Sequence, residues 1–289
     1  MAIPLTAPWP GAESLSSPRA VVDALAETGY LADENLAVTL FLGARLSMPV
    51  LLEGEAGVGK TEVARALAEV SGSRLVRLQC HEGIDADSAL YDWDYRRQLL
   101  AARGEGRKTD ELYSREFLLR RPLLEALESE QPVVLLIDEV DRSDEHFEAL
   151  LLELLAEHQV TIPEAGTVHA RWAPFSLLTS NRTRELHDAL KRRCLYHWIE
   201  YPSRKRELEI VNSRCPGVAA EIAERVCAAV ERLRAADLYK PPGVGETLAW
   251  ARALDALSGP AELDSTLGVA LKVREDVEQV RAADVLQGA

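Results

Sequence analysis

Gly54-Glu55-Ala56-Gly57-Val58-Gly59-Lys60-Thr61 fits the pattern G-x-x-x-x-G-K-S/T at every position. Before it, Pro49-Val50-Leu51-Leu52-Glu53 reads as a short apolar strand. After it, Thr61 to Ser71 places Val63, Ala66, Leu67 and Val70 on one helix face, and Gly72 marks the stop. Strand, glycine loop and helix form the context in which such a run binds phosphate. The glycines let backbone N–H groups turn inward around phosphate oxygens, and the helix N-terminus adds the positive end of its dipole. The Lys60 ammonium can reach β- and γ-phosphates, and the Thr61 hydroxyl can ligate Mg²⁺. Glu62, next in the chain, is counted with this nucleotide-binding set. The competing reading is a tight strand–helix turn that binds nothing; the flanking strand and helix speak against it.

A second run complements the first. Val133-Val134-Leu135-Leu136-Ile137 is continuously apolar and ends at Asp138-Glu139. Such runs are central strands of a parallel sheet, covered on both faces. Active residues in open α/β sheets sit at the C-terminal ends of strands. There Asp138 can hold Mg²⁺ through water, and Glu139 can polarise the attacking water. Alone, the pair would be an ordinary acidic strand end; downstream of the phosphate loop it reads as the metal and catalytic carboxylates. Phe175 to Thr179 reads as a further strand, followed by Ser180-Asn181. The Asn181 amide can hydrogen-bond the lytic water or the γ-phosphate, although a lone Asn there is commonly a turn residue.

The chain of 289 residues suffices for one large or two modest domains. No apolar run approaches membrane-spanning length, so no stable membrane insertion and a cytoplasmic address are expected. Cys80, Cys194, Cys215 and Cys227 lack paired spacing, which favours buried or free thiols over disulfides or a metal site. A net charge of −14 argues against a protein that wraps duplex nucleic acid.

Residues 1–18, with Pro4, Pro8, Pro10 and Pro18, read as a flexible or loosely docked tail. Residues 19–47 read as helical, with Asp33 a plausible N-cap. Arg74 to Cys80 alternates as a second strand. The stretch from His81 to Gln131 is too long for a plain crossover, so it carries an insert. Trp93 and Tyr95 in that insert either face a partner or pack the insert onto the core, and the sequence leaves both open. Arg103 to Lys108 reads as a flexible charged loop, and Phe117 to Leu127 as a helix interrupted near its start by Pro122. Ser143 caps a helix carrying Phe147, Leu150, Leu151, Leu154 and Leu155. Residues 159–171 read as a β-hairpin with a glycine turn. Thr183 to Cys194 reads as a short helix with Lys191, Arg192 and Arg193 near its end, followed by a last strand, Leu195 to Ile199. Beyond Ser203 only helical patterns remain: Arg206–Ser213, Val218–Ala235, Glu246–Leu257 and Ala261–Val273.

The order of these motifs resembles that of AAA+ ATPases: phosphate loop, Leu135-Leu136-Ile137-Asp138-Glu139, Thr179-Ser180-Asn181, then Leu190-Lys191-Arg192-Arg193. The insert and hairpin resemble the MoxR branch. Glu53 to Ala64, Ala89 to Tyr95 and Thr179 to Tyr201 look like its CoxD-like group, associated with maturation of molybdenum-containing carbon monoxide dehydrogenases and related hydroxylases. The resemblance implies an α/β fold: a P-loop NTPase αβα core whose five-stranded parallel sheet is ordered 5-1-4-3-2, plus a C-terminal all-helical lid. The corresponding domains are a core over 19–202, with the insert at 81–117 and hairpin at 159–171, and a lid over 203–289. It implies a self-assembled ring, usually a hexamer, with ATP and Mg²⁺ between subunits. Asn181 then matches sensor 1. Arg193 matches the arginine finger best, with Arg192 as alternative; helix C-terminal charge complementing the dipole would also explain both. Where a lid arginine is common in the family, this chain has Glu246. Implied partners are a von Willebrand A domain protein and a client metalloenzyme. The resulting expectation is an ATP-hydrolysing remodeller, or, as the rival, a nucleotide-gated assembly scaffold with hydrolysis serving release.

Overall fold

The computed structural model describes residues 9–102, 113–163, 166–257 and 263–286. The charged loop expected at 103–108 lies outside them, as do the first eight positions of the expected tail and residues 164–165 of the expected hairpin. Two compact units result. One comprises Met1–Thr28, Ala32–Glu53 and Thr61–Trp198; the other comprises Gly29–Leu31, Gly54–Lys60 and Ile199–Ala289.

Among the described residues nine strands follow one another: β1 (Val50–Gly54), β2 (Arg74–Gln79), β3 (Tyr91–Trp93), β4 (Leu118–Arg120), β5 (Val133–Asp138), β6 (Gln159–Ile162), β7 (Gly166–His169), β8 (Phe175–Ser180) and β9 (Leu195–Ile199). Five of them form one sheet in the order β2-β5-β8-β1-β9. β2 with β5, β5 with β8 and β8 with β1 pair in parallel. Counted without the hairpins β3–β4 and β6–β7, the order is 2-3-4-1-5, which is the expected 5-1-4-3-2 read from the opposite edge. β1, β5 and β8 are buried at every position, which explains their unbroken apolar sequences. β2, at the edge, alternates instead. Phe147, Leu151 and Leu154 of the helix Glu145–Glu157 share a core with Leu123, Leu124 and Leu127 of the helix Pro122–Leu127 and with Leu135 and Ile137 of β5.

Several local expectations are corrected. The helix expected from Phe117 begins at Pro122, and Leu118–Arg120 instead pair with Tyr91–Trp93. Proline favours the first helical turn and drives the residue before it to extended backbone, here Arg121 at φ −105°, ψ 170°. Asp144, rather than Ser143, caps the next helix: its carboxylate accepts from the Phe147 N–H at 2.8 Å, while the Ser143 hydroxyl donates to the Val140 carbonyl. Residues 9–18, expected as loose tail, are docked. Trp9 is buried and stacks on Phe175 with ring centroids 5.0 Å apart, Leu15 is buried, and Ser17 caps the helix Pro18–Glu27. The insert aromatics divide. Trp93 is buried against Tyr91 and Tyr113, whereas Tyr95 is exposed.

No strand follows β9 among the described residues. The helices Arg204–Arg214, Ala220–Ala235 and Val244–Ala256 pack around Val211, Val226, Val230, Leu233, Trp250 and Leu254. The single helix expected over 261–273 is broken. A 3₁₀ turn at Leu263–Thr266 precedes the short helix Leu267–Ala270, and Leu271 is extended. The Thr266 hydroxyl donates to Leu263 O and accepts the Trp250 indole N–H at 2.7 Å, anchoring the break. A further helix, Arg274–Ala282, was not anticipated. Buried Asp276 pins it by accepting the Tyr239 and Lys240 N–H groups. Among the described residues no helix is long and apolar enough to cross a membrane.

Candidate active site

The loop after β1 is shaped by close backbone approaches within its own unit. Gly54 has φ +156°, and a Cβ there would lie 2.3 Å from the Ile199 carbonyl oxygen. Gly57 has φ +80°, and its Cβ would lie 2.8 Å from the Gly243 Cα. No side chain fits either place. The Val244 N–H donates to the Gly57 carbonyl at 2.9 Å, and the Tyr201 hydroxyl donates to Ala56 O at 3.4 Å. The Lys60 ammonium is buried and donates to the carbonyls of Gly54 and Glu55, each at 2.7 Å. Glu246 folds back on its own helix start, where its carboxylate accepts the Gly243 N–H at 3.1 Å. That makes Glu246 an N-terminal cap for a helix docked on the loop.

The last residue of the motif, Thr61, belongs to the sheet unit. Its hydroxyl lies 3.1 and 3.2 Å from the two Asp138 carboxylate oxygens. Asp138 ends β5 and is buried. Its Oδ1 accepts from the Thr179 hydroxyl at 2.5 Å; its Oδ2 accepts from Arg77 Nε at 3.0 Å and Nη2 at 2.6 Å. The Thr179 oxygen also accepts the Glu139 N–H at 2.9 Å. This holds Glu139 in left-handed backbone, φ +55°, with a carboxylate one-third exposed and 3.3 Å from Arg142. A non-glycine residue in that conformation costs about 1–3 kcal/mol, and such strain concentrates at functional positions. In the sequence Thr179 stands in the Thr179-Ser180-Asn181 motif without a role of its own, and Arg77 and Asp141 are not singled out. The signal for Thr179 was its place at the end of the adjacent central strand. Arg77 is identifiable only once β2 and β5 are in register.

Asn181 donates its backbone N–H to Asp141 Oδ2 at 3.2 Å, and that oxygen also accepts the N–H and hydroxyl of Thr183. The other Asp141 oxygen is buried without a hydrogen-bond partner among the described residues. The helix expected over 183–194 is confined to Asp188–Lys191. Side-chain bonds compete with it: Thr183 turns to Asp141, Arg184 to Ser143 O and Glu148, and Glu148 accepts the His187 N–H. Arg193 donates to the Leu152 carbonyl at 2.6 Å. Arg192 is exposed and its backbone N–H donates to the Asp188 carbonyl at 3.0 Å, while its guanidinium makes no hydrogen bond or ion pair among the described residues; both arginines border a surface depression with His187 and Asp188. The charge around Asp138 also marks Cys80. Burial, reinforced by Asp138, Asp141 and Glu139, pushes its thiol up to about 12.

The sequence pattern of the AAA domain (dynein-related subfamily) matches residues 49–194, half of the chain. The chain belongs to this AAA family. A P-loop and nucleotide binding go with that membership, and AAA proteins often form ring oligomers. No curated protein matches the AAA chain. Among solved structures, a Cytophaga hutchinsonii protein provisionally described as an ATPase is 16% identical, with TM-score 0.51, covering 93% of this chain and 86% of that one. A point variant of RuvB from Thermotoga maritima is 17% identical, with TM-score 0.51, covering 90% and 72%. At these identities the likeness is one of fold.

Proposed function

We propose that this AAA protein binds Mg²⁺–ATP on residues 54–61 and hydrolyses it, using the cycle to remodel a client protein. The observation carrying this reading is the meeting of Thr61 with Asp138, from elements far apart in sequence, beside a strained Glu139. The glycines leave room for phosphate against backbone, and a hydroxyl beside a carboxylate suits Mg²⁺, which takes oxygen ligands and is commonly held by one carboxylate with substrate phosphates. Mg²⁺ supplies charge neutralisation on the β- and γ-phosphates. Lys60 supplies a point charge to the same phosphates, and Thr61 and Asp138 hold the metal position. Glu139, held by the Thr179 bond, accepts the proton of the attacking water. Asn181, fixed by Asp141, orients that water or the γ-phosphate.

In a ring, an arginine of one subunit reaches the nucleotide of the next. Arg193 is already bonded to Leu152 O, which favours the unengaged Arg192 as the finger. The finer identity follows the motif resemblance: a MoxR-type remodeller working with a von Willebrand A partner on a molybdenum-containing hydroxylase. Glu139→Gln, expected to bind ATP without completing the cycle, serves as a trap. A client retained by the trap should stimulate the wild-type ATPase several-fold; turnover unaffected by that client points to the assembly scaffold instead.

A further inference from the structure

We propose that Arg77 is a gatekeeping cation for the metal position: its guanidinium and Mg²⁺ compete for the Asp138 carboxylate, so that the metal enters with a nucleotide rather than alone. The proposal rests on the reading of Thr61 and Asp138 as the Mg²⁺ residues.

The register of β2 against β5 sets Gln79 beside Asp138 and Arg77 beside Leu136. Residues two apart on a strand share a face, so Arg77 lies on the Asp138 side of the sheet. Both of its bonds go to Oδ2, which is also 3.2 Å from the Thr61 hydroxyl. Oδ1 is taken by Thr179. The Thr61 hydroxyl is 3.1 Å from Oδ1 and 3.2 Å from Oδ2, so a cation arriving through Thr61 meets both oxygens, one bonded by Thr179 and the other held by the Arg77 charge. The Asp138 side chain is 4% exposed, and a carboxylate so buried needs a counter-charge. The Arg77 side chain is 43% exposed on an edge strand and also bonds the Gln79 side-chain oxygen. It can leave Oδ2 for Gln79 and solvent without opening the core. Mg²⁺ dehydrates reluctantly. One carboxylate shared with a guanidinium is a poor site for the bare ion, and nucleotide phosphates supply what is missing. Arginine stays charged throughout the physiological range, so this competition is always present.

The test measures binding. A fluorescent ATP analogue is titrated onto the full chain at varied Mg²⁺, and Mn²⁺ binding without nucleotide is followed by electron paramagnetic resonance. Arg77→Gln should lower the half-saturating Mg²⁺ about tenfold, the worth of one charge-assisted pair, and should allow Mn²⁺ to bind alone. Arg77→Lys, a point charge without the fork, should shift in the same direction by less. In the Asp138→Asn background, Arg77→Gln should have no effect. An unchanged or raised Mg²⁺ requirement in folded Arg77→Gln overturns the proposal; if that variant melts, an unshifted Arg77→Lys does so. Nucleotide binding by wild type that ignores Mg²⁺ would instead overturn the Thr61–Asp138 assignment itself.

Discussion

Asp138 sets the electrostatic character of its neighbours as well as its own. Cys80 donates its backbone N–H to the Asp138 carbonyl and keeps its thiol buried beside three carboxylates. Burial also pushes Cys194 and Cys227 up to about 12 from the ordinary 9.0. The neutral thiol is therefore favoured in the folded chain. Its contribution to stability is complete below pH 9 and is lost as pH rises toward 12. The melting temperature should fall across that window, and replacing Cys80 by alanine should flatten the fall. At pH 8 these three thiols should resist iodoacetamide until the chain is denatured, because only the thiolate attacks. The meeting of Thr61 with Asp138 was legible in the sequence, because both residues match a fixed spacing. Thr179 and Arg77 were not, because their roles depend on which strands lie side by side.

At the scale of elements, a buried ion pair joins helices of the helical unit. Arg234 on the helix Ala220–Ala235 forms a fork with Glu207 on the helix Arg204–Arg214, both bonds at 2.7 Å. Glu207 also accepts the Thr247 hydroxyl, so three helices meet at one carboxylate. The Arg234 guanidinium lies 4.4 Å from the Tyr201 ring centroid, and Tyr201 in turn reaches the Ala56 carbonyl of the loop. Arg234→Met should destabilise the chain by about 3–5 kcal/mol, because it strands a buried carboxylate. Urea unfolding measures this, and a loss below 1 kcal/mol would show that the pair is dispensable. Sequence periodicity found the helices around this pair but not their breaks. The break at Thr266 and the shortening around Asp188 come from side chains bonding to other elements, which no local pattern encodes. The β3–β4 hairpin was missed for a related reason: three-residue strands are too short to show alternation, and only the proline at 122 signalled a boundary.

At the scale of the whole molecule, the proposed arginine finger would make catalysis a property of a ring. Arg192→Ala should lose about 10³-fold in turnover while retaining nucleotide affinity, as expected for an arginine finger, and Arg193→Ala should lose less. Lys60→Ala should fail to bind ATP, because the phosphates lose their point charge. Mixed under conditions of subunit exchange, Lys60→Ala and Arg192→Ala subunits should recover part of the ATPase rate, since some interfaces then join an intact loop to an intact finger. No recovery despite exchange would place catalysis within one subunit. All of this presupposes that the site binds and hydrolyses ATP. The most direct measurement pairs calorimetric ATP binding with phosphate release for wild type and Glu139→Gln. Both proteins should show comparable Mg²⁺-dependent binding, and the variant should lose about 10²–10⁴-fold in phosphate release. Equal phosphate release by the two proteins, or no binding by wild type, would contradict this reading of the site.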